Sequence, residues 1–287
     1  MAWRYLAESL PDGLAPGDLA AIGGEEARHA AVVARVAPGE RLSFFDGRGR
    51  VAEGVVTRAE RDAVELRVES VRLEREPSPE LVLVQALAKG DRDELAAQAA
   101  TELGAAAIVP WQAARSVSRW DAKKAPKQRA RWQTIVREAA KQSLRPIVPE
   151  VEELATTPEL AALASEEGAL MLVLEPSAGP LLADVAGELA AGAAAMPARI
   201  VLVVGPEGGV APEELAALEA AGARLVRLGS PVLRTSTAGP AAIAALSALL
   251  GRWSEGAVEQ AASRPANRPW GRRLPAAMPT PPRRLGP

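Results

Sequence analysis

Two short motifs contain the residue types that could perform chemistry in this chain. The first is GPEGG, residues 205–209, which directly follows an apolar run at residues 200–204. The second is LRTSTAG, residues 233–239, which follows an alternating run at residues 224–228. Closely spaced glycines allow a ligand to approach the backbone, while Glu207 and Arg234 add charge. The first motif is neither GxGxxG nor GxxxxGK[ST], so it does not indicate a dinucleotide or a nucleoside triphosphate.

Both motifs are predicted to lie at the carboxyl ends of strands. Residues 200–204 are short, β-branched and uninterrupted, which is typical of a strand buried on both faces of a parallel sheet. Pro212 begins a helix after the first motif, and the hydroxyls of residues 235–237 are predicted to cap a helix that runs towards Leu250. Open α/β sheets bind ligands at the carboxyl ends of their strands. The motifs are therefore expected to form one site, although GPEGG alone is also compatible with a simple tight turn.

The segment before these motifs alternates between strand and helix patterns. Such alternation implies right-handed crossovers, and these make the sheet parallel. The helix that follows the first of these strands is predicted to end at Gly104. In chain order the predicted strand, helix, strand, helix and strand span residues 81–86, 93–103, 105–110, 129–143 and 169–174.

Residues 1–75 have a different pattern, which predicts a small β-barrel. Residues 40–45 and 50–57 read as a hairpin around an Asp-Gly-Arg-Gly turn, and residues 63–71 alternate as a further strand. An amphipathic helix is predicted over residues 24–36. The segment 74–80 carries two prolines and is predicted to link this barrel to the α/β region.

Composition excludes several classes of site. The 287 residues include no cysteine and one histidine, so disulfides, thiolate nucleophiles, zinc–sulfur sites and His-rich metal sites are excluded. No apolar run approaches the roughly 20 residues that a membrane-spanning helix needs, and the N-terminus lacks a secretory signal pattern. We expect a cytoplasmic protein that binds no metal.

Positive charge is concentrated between Arg115 and Arg145. This stretch holds ten Lys or Arg against two acids in a chain whose net charge is −2. A basic stripe in an otherwise acidic chain indicates a nucleic-acid site, and Trp120 and Trp132 are interleaved with it. A solvated helix surface is the alternative. Residues 254–287 are rich in proline and arginine, and we predict a disordered tail with a weak, salt-sensitive attraction for RNA.

Several motifs together resemble the SPOUT methyltransferases. These are GPEGG, LGSPVLRTSTAG and KGDRDELAAQAATELG, and they look most like the bacterial enzymes that methylate N3 of a uridine in small-subunit ribosomal RNA. The first domain is similar to that family's PUA-like barrel through His29, Arg35, Pro38-Gly39 and Phe45-Asp46-Gly47. The resemblance runs from about residue 25 to residue 253. Two departures are Ala99 and Lys141, where the family usually has lysine and glutamate.

The resemblance implies an α/β trefoil-knot domain at residues 76–253, a PUA-like RNA-binding barrel at residues 1–75, and a homodimer. It also implies that S-adenosylmethionine sits bent in the knot. Arg234 is the first candidate for a catalytic cation and Arg145, expected beside the ligand edge of the sheet, is the second; no general base is identified. The expected cofactor-binding residues are Leu174, Glu175, Gly205, Pro206, Glu207, Gly208, Gly209, Leu228, Gly229, Ser230, Leu233, Thr235 and Thr237. The expected RNA contacts are His29, Arg35, Arg115, Arg119 and Lys141.

Two other functions fit the same sequence. One is a SPOUT enzyme that acts on a different RNA base or on a ribose 2′-hydroxyl. The other is a non-catalytic RNA-binding factor for ribosome assembly, which would not bind the cofactor. Glu207 is the obvious acid of the first motif, but loop hydrogen bonding is its more plausible role.

Overall fold

The N-terminal strands form a five-stranded sheet in the computed structural model, which describes residues 3–254. The strand order is β1-β3-β4-β5-β2, with β1 paired parallel to β3 and the other pairs antiparallel. Tyr5, Phe44 and Leu66 are buried in its core. The strands are β1 (Trp3–Leu6), β2 (Leu19–Gly23), β3 (Arg41–Phe45), β4 (Arg50–Glu60) and β5 (Ala63–Leu73). The predicted hairpin and following strand are confirmed.

The helix predicted over residues 24–36 is only partly correct. Helix α1 (Gly24–Arg28) is followed by a π-helical turn at His29–Val33, and Arg35 then adopts a left-handed conformation with φ 56°. Ala27 and Ala30 pack into the barrel, whereas the two valines of the turn are exposed. A continuous amphipathic helix is therefore wrong here, because the chain leaves the helical path at Arg35 before Val36 packs into the same core.

The second sheet has six strands, and all of its pairs are parallel as predicted. The strand order is β11-β9-β10-β6-β7-β8. Its central strands are buried on both faces, which explains their uninterrupted apolar sequences. The strands are β6 (Glu80–Ala86), β7 (Ala107–Trp111), β8 (Glu150–Val151), β9 (Ala169–Leu174), β10 (Arg199–Val204) and β11 (Arg224–Val226).

Helices cover both faces of this sheet. Helices α2, α3, α5 and α7 share one hydrophobic core with the odd-numbered residues of β6, and α4 and α6 share another with its even-numbered residues. Helix α3 begins four residues before the predicted start, with Pro126 in its first turn. The helices are α2 (Arg92–Glu102), α3 (Ala125–Gln142), α4 (Thr157–Ala164), α5 (Leu182–Ala190), α6 (Pro212–Ala220) and α7 (Thr235–Leu249).

The two tryptophans of the basic stripe belong to the core. Trp120 and Trp132 are 9% and 1% exposed, and their rings meet edge to face with centroids 5.2 Å apart. This geometry favours packing between the rings. The expectation that these aromatic side chains are interleaved with an RNA-binding surface is wrong, because neither ring is available to a base.

The end of α3 docks on the barrel. The Val148 amide donates to the carbonyl of Gly47 at 2.9 Å, and the Gly49 amide donates to the carbonyl of Pro146 at 3.0 Å. Lys141 forms ion pairs with Glu26 of α1 and with Glu138. Lys141 was expected to contact RNA; instead, its charge is neutralised within the protein at the junction of the two sheets.

No helix within residues 3–254 is long and apolar enough to cross a membrane. The predicted tail, from residue 255 onward, lies outside the part of the chain that the structure describes.

Candidate active site

A cavity of about 420 Å³ lies at the carboxyl edge of the second sheet. It is bounded by the loops that follow β9, β10 and β11, which is the edge where the sequence predicted a site. Its lining residues are Arg92, Leu174, Glu175, Pro176, Val204, Gly205, Pro206, Glu207, Gly209, Val210, Arg227, Leu228, Gly229, Pro231, Val232, Leu233, Arg234, Thr235 and Ala238.

The glycines of the first motif shape the loop after β10. A Cβ atom on Gly205 would lie 2.7 Å from the Cγ2 atom of Val210, so a side chain does not fit there. Gly209 has φ 72°, a left-handed conformation that favours glycine. The loop can therefore fold back towards α6 while its backbone stays open to the cavity.

Glu207 fastens this loop to the segment that follows β6. Its Oε1 atom accepts hydrogen bonds from the Lys89 amide at 3.1 Å and from Arg92 Nη1 at 2.9 Å. Partial burial by itself would raise the pKa of Glu207. Hydrogen bonds from its own amide, the Lys89 amide and Arg92 outweigh burial and lower this pKa, so the carboxylate stays ionised. The geometry supports the loop-bonding role.

Arg115 contacts the same loop from another side. Its Nη1 atom donates to the carbonyl of Gly208 at 3.1 Å. The neighbouring Ala114 amide donates to Glu214 Oε1 at 2.9 Å, which ties this segment to the first turn of α6. Arg119 donates to the carbonyl of Ala114 at 3.1 Å. The structure therefore brings both arginines close to the glycine loop, and both remain exposed.

The second motif begins α7, but its hydroxyls do not cap the helix. Arg234 is the N-cap residue, and no side chain caps the helix there. The hydroxyl of Thr235 instead donates to the carbonyl of Gly205 at 2.9 Å and accepts a hydrogen bond from Gln85 Nε2 at 2.9 Å. The predicted capping role is therefore wrong, because Thr235 uses its hydroxyl to join the two motifs.

The charges at the cavity come from three arginines and two acids. Within residues 3–254, the guanidinium groups of Arg227 and Arg234 have no hydrogen-bond or ion-pair partner, whereas Arg92 is paired with Glu207. Glu175 lines the cavity, and its Oε1 atom accepts hydrogen bonds from the amide and hydroxyl of Ser177. Glu175 therefore both lines the cavity and caps the turn that follows β9.

Ten of the thirteen predicted cofactor-binding residues line the cavity, and so does Arg234. Gly208 and Ser230 lie in the same loops and Thr237 in the first turn of α7, and none of the three lines the cavity. His29 and Arg35 are exposed on the barrel, where the imidazole of His29 packs on the ring of Tyr5 with centroids 5.9 Å apart.

Arg145 lies at the opposite edge of the sheet. Its Nη1 atom donates to the carbonyls of Thr101 at 2.6 Å and Ala105 at 2.8 Å, and its Nη2 atom pairs with Glu76. Glu76 and Ala105 precede the amino ends of β6 and β7. The expectation that Arg145 stands beside the ligand edge is wrong, because the chain turns back to the barrel after α3.

Sequence reasoning missed three residues at or behind the cavity. Arg92 lies in the motif KGDRDELAAQAATELG, close to the carboxyl end of β6. Its position just after a predicted strand could have indicated that it lines the cavity. Arg227 was read as part of a strand, which in fact ends at Val226. Gln85 was hidden in an apolar run, where a fully buried amide is the unusual feature.

The cavity suits a ligand that has both charged and apolar parts. Apolar side chains, glycines and charged side chains of both signs all line it. No group of three or more His, Cys, Asp or Glu within residues 3–254 is placed to hold a metal ion.

Family models match both parts of the chain. An RNA methyltransferase domain matches residues 74–247, and an RNA methyltransferase PUA domain matches residues 22–69. The chain is 44% identical to ribosomal RNA small subunit methyltransferase E from Mycobacterium bovis, over 90% of this chain and 95% of the relative. The Bacillus subtilis relative of the same name is 32% identical, over 85% and 95%.

Solved structures agree with these matches. Ribosomal RNA small subunit methyltransferase E from Neisseria gonorrhoeae, bound to S-adenosyl methionine, has a TM-score of 0.71 and 31% identity, over 87% of this chain and 98% of that one. A structure from Legionella pneumophila with bound SAM has a TM-score of 0.71 and 30% identity, over 86% and 98%. The chain therefore belongs to the ribosomal RNA small subunit methyltransferase E family, with a PUA-like barrel and a SPOUT methyltransferase fold.

Proposed function

We propose that this protein transfers a methyl group from S-adenosylmethionine to N3 of a uridine in small-subunit ribosomal RNA. The observation that carries the proposal is the convergence of both motifs on one cavity at the carboxyl edge of the sheet. The relatives with the same domains support the substrate class, and the two structures with a bound cofactor support the choice of methyl donor.

The residues present fit this cofactor. Arg227 and Glu175 offer charges for its carboxylate and ammonium groups, and the leucine and valine side chains offer an apolar surface for its ring. Gly205 and Gly209 place backbone without side chains in the cavity wall. When bound, S-adenosylmethionine would supply a methyl group on a sulfonium; a neutral thioether leaves as the methyl group is transferred, so no covalent enzyme nucleophile is needed.

The chain must then orient N3 and favour its deprotonated form. Holding two reactants in line contributes up to roughly 7–11 kcal/mol in ideal cases. Arg234 lines the cavity, and its guanidinium has no partner in the described part of the chain, so it is placed to stabilise the negative charge that develops on the uracil ring. Glu207 is occupied by the loop hydrogen bonds and stays ionised, and we assign it no proton transfer.

RNA contact is assigned to both domains. Residues 1–75 present His29 and Arg35 on an exposed surface, and residues 76–253 present Arg115 and Arg119 near the cavity. An unpaired or weakly paired surface cation can neutralise a phosphate and release its counterions.

We further propose that the protein acts as a homodimer in the cytoplasm. Helices α2 and α7 pack against each other and leave Leu95 and Leu249 exposed, with Trp253 exposed just beyond α7. Exposed apolar groups of this size mark contact surfaces when they lie together. Sedimentation equilibrium tests this point, and a monomer at micromolar concentration would contradict it.

The main test is titration of S-adenosylmethionine into the purified protein by calorimetry, followed by methyl transfer to undermethylated small-subunit RNA or subunits. We expect saturable cofactor binding and a single N3-methylated uridine on nucleotide mapping. A methylated ribose or another base would contradict the proposed position. A protein that binds RNA but not the cofactor would support the assembly-factor alternative.

A further inference from the structure

Gln85 is a fully buried amide behind the cavity wall. It is the penultimate residue of β6, is 0% exposed, and does not line the cavity. Its side chain points to the face of the sheet that α7 covers, where its neighbours along the chain are the leucines Leu83 and Leu87. A buried amide is costly unless it is hydrogen-bonded, so the partners of Gln85 show what it holds.

A chain of hydrogen bonds runs from Gln85 to the glycine loop. Gln85 Nε2 donates to Thr235 Oγ1 at 2.9 Å, and Thr235 Oγ1 donates to the carbonyl of Gly205 at 2.9 Å. These bonds join β6, the first residue of α7 and the first residue after β10. Thr235 and Gly205 both line the cavity.

The direction of this chain is fixed by its chemistry. The hydroxyl of Thr235 has one hydrogen, which the carbonyl of Gly205 takes, so Thr235 must accept from Gln85. The second amide hydrogen of Gln85 goes to the carbonyl of Ala86 at 3.2 Å. With the amide reversed, the side-chain oxygen of Gln85 would face two oxygens, so only the donating orientation fits.

The bond to Gly205 sets the orientation of one peptide group. The next residue, Pro206, has no N–H and a fixed φ, so the Gly205 carbonyl is the hydrogen-bonding group of that peptide. Holding the Gly205 carbonyl against Thr235 fixes the direction in which the glycine loop leaves β10. The same contact fixes the end of the loop between β11 and α7, because Arg234 is the last residue of that loop and directly precedes Thr235.

We propose that Gln85 is a positioning residue for cofactor binding. It acts through Thr235 to hold the loop after β10 and the loop before α7 in a fixed position relative to each other. The inference rests on the proposed function. Gln85 does not touch the ligand, so its effect belongs to the affinity for S-adenosylmethionine rather than to the methyl-transfer step.

Gln85→Met tests the proposal with little change of shape. It removes the donor, and it also removes the Gln85 Oε1 atom, which is buried without a partner among residues 3–254. We therefore expect the variant to fold, because an unsatisfied acceptor disappears together with the lost bond. The dissociation constant of S-adenosylmethionine should rise about fivefold, and the KM for the cofactor should rise likewise. At saturating cofactor, kcat and the KM for RNA should stay near their wild-type values.

Two further comparisons separate positioning from general destabilisation. Thr101 is 0% exposed and donates to the carbonyl of Ala97 within α2, so Thr101→Val removes a buried hydrogen bond away from the cavity. This control should lower thermal stability and leave cofactor affinity within about twofold. Thr235→Ser keeps the hydroxyl and should bind the cofactor normally, whereas Thr235→Val should bind it weakly.

The double variant decides whether Gln85 acts through Thr235. In the Thr235→Val background, Gln85→Met should add less than about a twofold loss of affinity. Independent effects of the two substitutions would overturn the proposal, as would wild-type affinity in Gln85→Met or an equal loss in the Thr101→Val control. If Gln85→Met does not fold, the Thr235→Ser and Thr235→Val pair still tests the hydrogen-bond chain. A wild-type protein that binds no cofactor would instead refute the proposed function, and this inference with it.

Discussion

At the scale of single residues, Arg234 is the clearest target for mutagenesis. It lines the cavity, and its guanidinium has no partner within residues 3–254. We expect Arg234→Ala to lower kcat by about 10²-fold, the usual effect of losing a placed charge donor. The cofactor dissociation constant should change much less, and single-turnover methylation with calorimetry measures both. Arg224→Ala is the matched control, because Arg224 is exposed and, among residues 3–254, pairs only with Glu188. An equal loss in both variants would contradict the role of Arg234.

Mutation of Glu207 tests whether this residue is the base that removes the proton from uracil N3. The pKa of Glu207 is below the usual value, so its hydrogen bonds stabilise the loop at every pH above the ordinary glutamate range and weaken only as pH falls through the lowered pKa. We expect Glu207→Gln to weaken cofactor binding severalfold and to leave the pH dependence of kcat between pH 6 and 9 unchanged. The profile is measured at saturating cofactor. Loss of an ionisation from that profile would show that Glu207 takes the proton.

Local sequence was sufficient to predict the site residues whose position depends only on the strand that precedes them. Gly205 and Glu207 lie just after one predicted strand and Arg234 lies in the loop after another, so their position at one edge follows from the parallel sheet. Lys141 and Arg145 were misplaced because their surroundings come from the barrel and from the amino ends of β6 and β7. Ion pairs between residues far apart in sequence leave no local signal.

At the scale of secondary-structure elements, uninterrupted apolar runs were the most reliable guide. Strands β9 and β10 match their predicted bounds to within one residue, because burial on both faces requires apolar side chains at every position. The segment around His29–Val33 was not predictable as a π-helical turn, since its shape depends on which alanines reach the barrel core. The very short strand β8 carries too few residues for any period to show.

Glu152, directly after β8, makes this edge of the sheet sensitive to pH. The residue is 7% exposed, and one of its carboxylate oxygens has no partner within residues 3–254. Burial, followed by repulsion from Glu150, raises the pKa of Glu152 from 4.5 to about 7, against the opposing charge of Arg129. Between these values the folded state binds the proton more tightly than the unfolded state does. Stability therefore falls as pH rises from about 4.5 to above 7.

We expect Glu152→Gln to remove this pH dependence. At pH 8 the free energy of unfolding should rise by about 2 to 3 kcal/mol, and at pH 4 it should match the wild type. Urea denaturation at both pH values measures the difference. Glu153→Gln is the control, because the side chain of Glu153 is 82% exposed and should show no comparable gain. If the stability difference between Glu152→Gln and the wild type is the same at pH 8 as at pH 4, the raised pKa of Glu152 is contradicted.

At the scale of the whole molecule, the basic stripe is divided between internal pairing and a free surface. Arg131 pairs with Glu94, Arg129 with Glu150, and Lys141 with Glu26, so acids from other elements neutralise much of the excess charge. A count along the sequence therefore overestimates the charge available to RNA. Arg35 on the barrel, by contrast, is exposed and has no ion-pair partner within residues 3–254.

We therefore expect loss of the exposed charge of Arg35 to affect RNA binding, and loss of the internally paired charge of Lys141 to affect stability. Arg35→Gln should weaken RNA binding and reduce the slope of log affinity against log salt by about 0.7 to 0.9, the value for one lost phosphate contact. Lys141→Gln should leave that slope unchanged and lower the free energy of unfolding by about 2 kcal/mol, because Glu26 remains largely buried without its partner. Filter binding to a small-subunit RNA fragment at several salt concentrations, with denaturation in parallel, measures both effects. Glu138→Gln removes only the more exposed partner of Lys141 and should change neither quantity appreciably. A reduced salt slope in Lys141→Gln would show that the junction between barrel and sheet opens to bind RNA, and would return Lys141 to the RNA-binding surface.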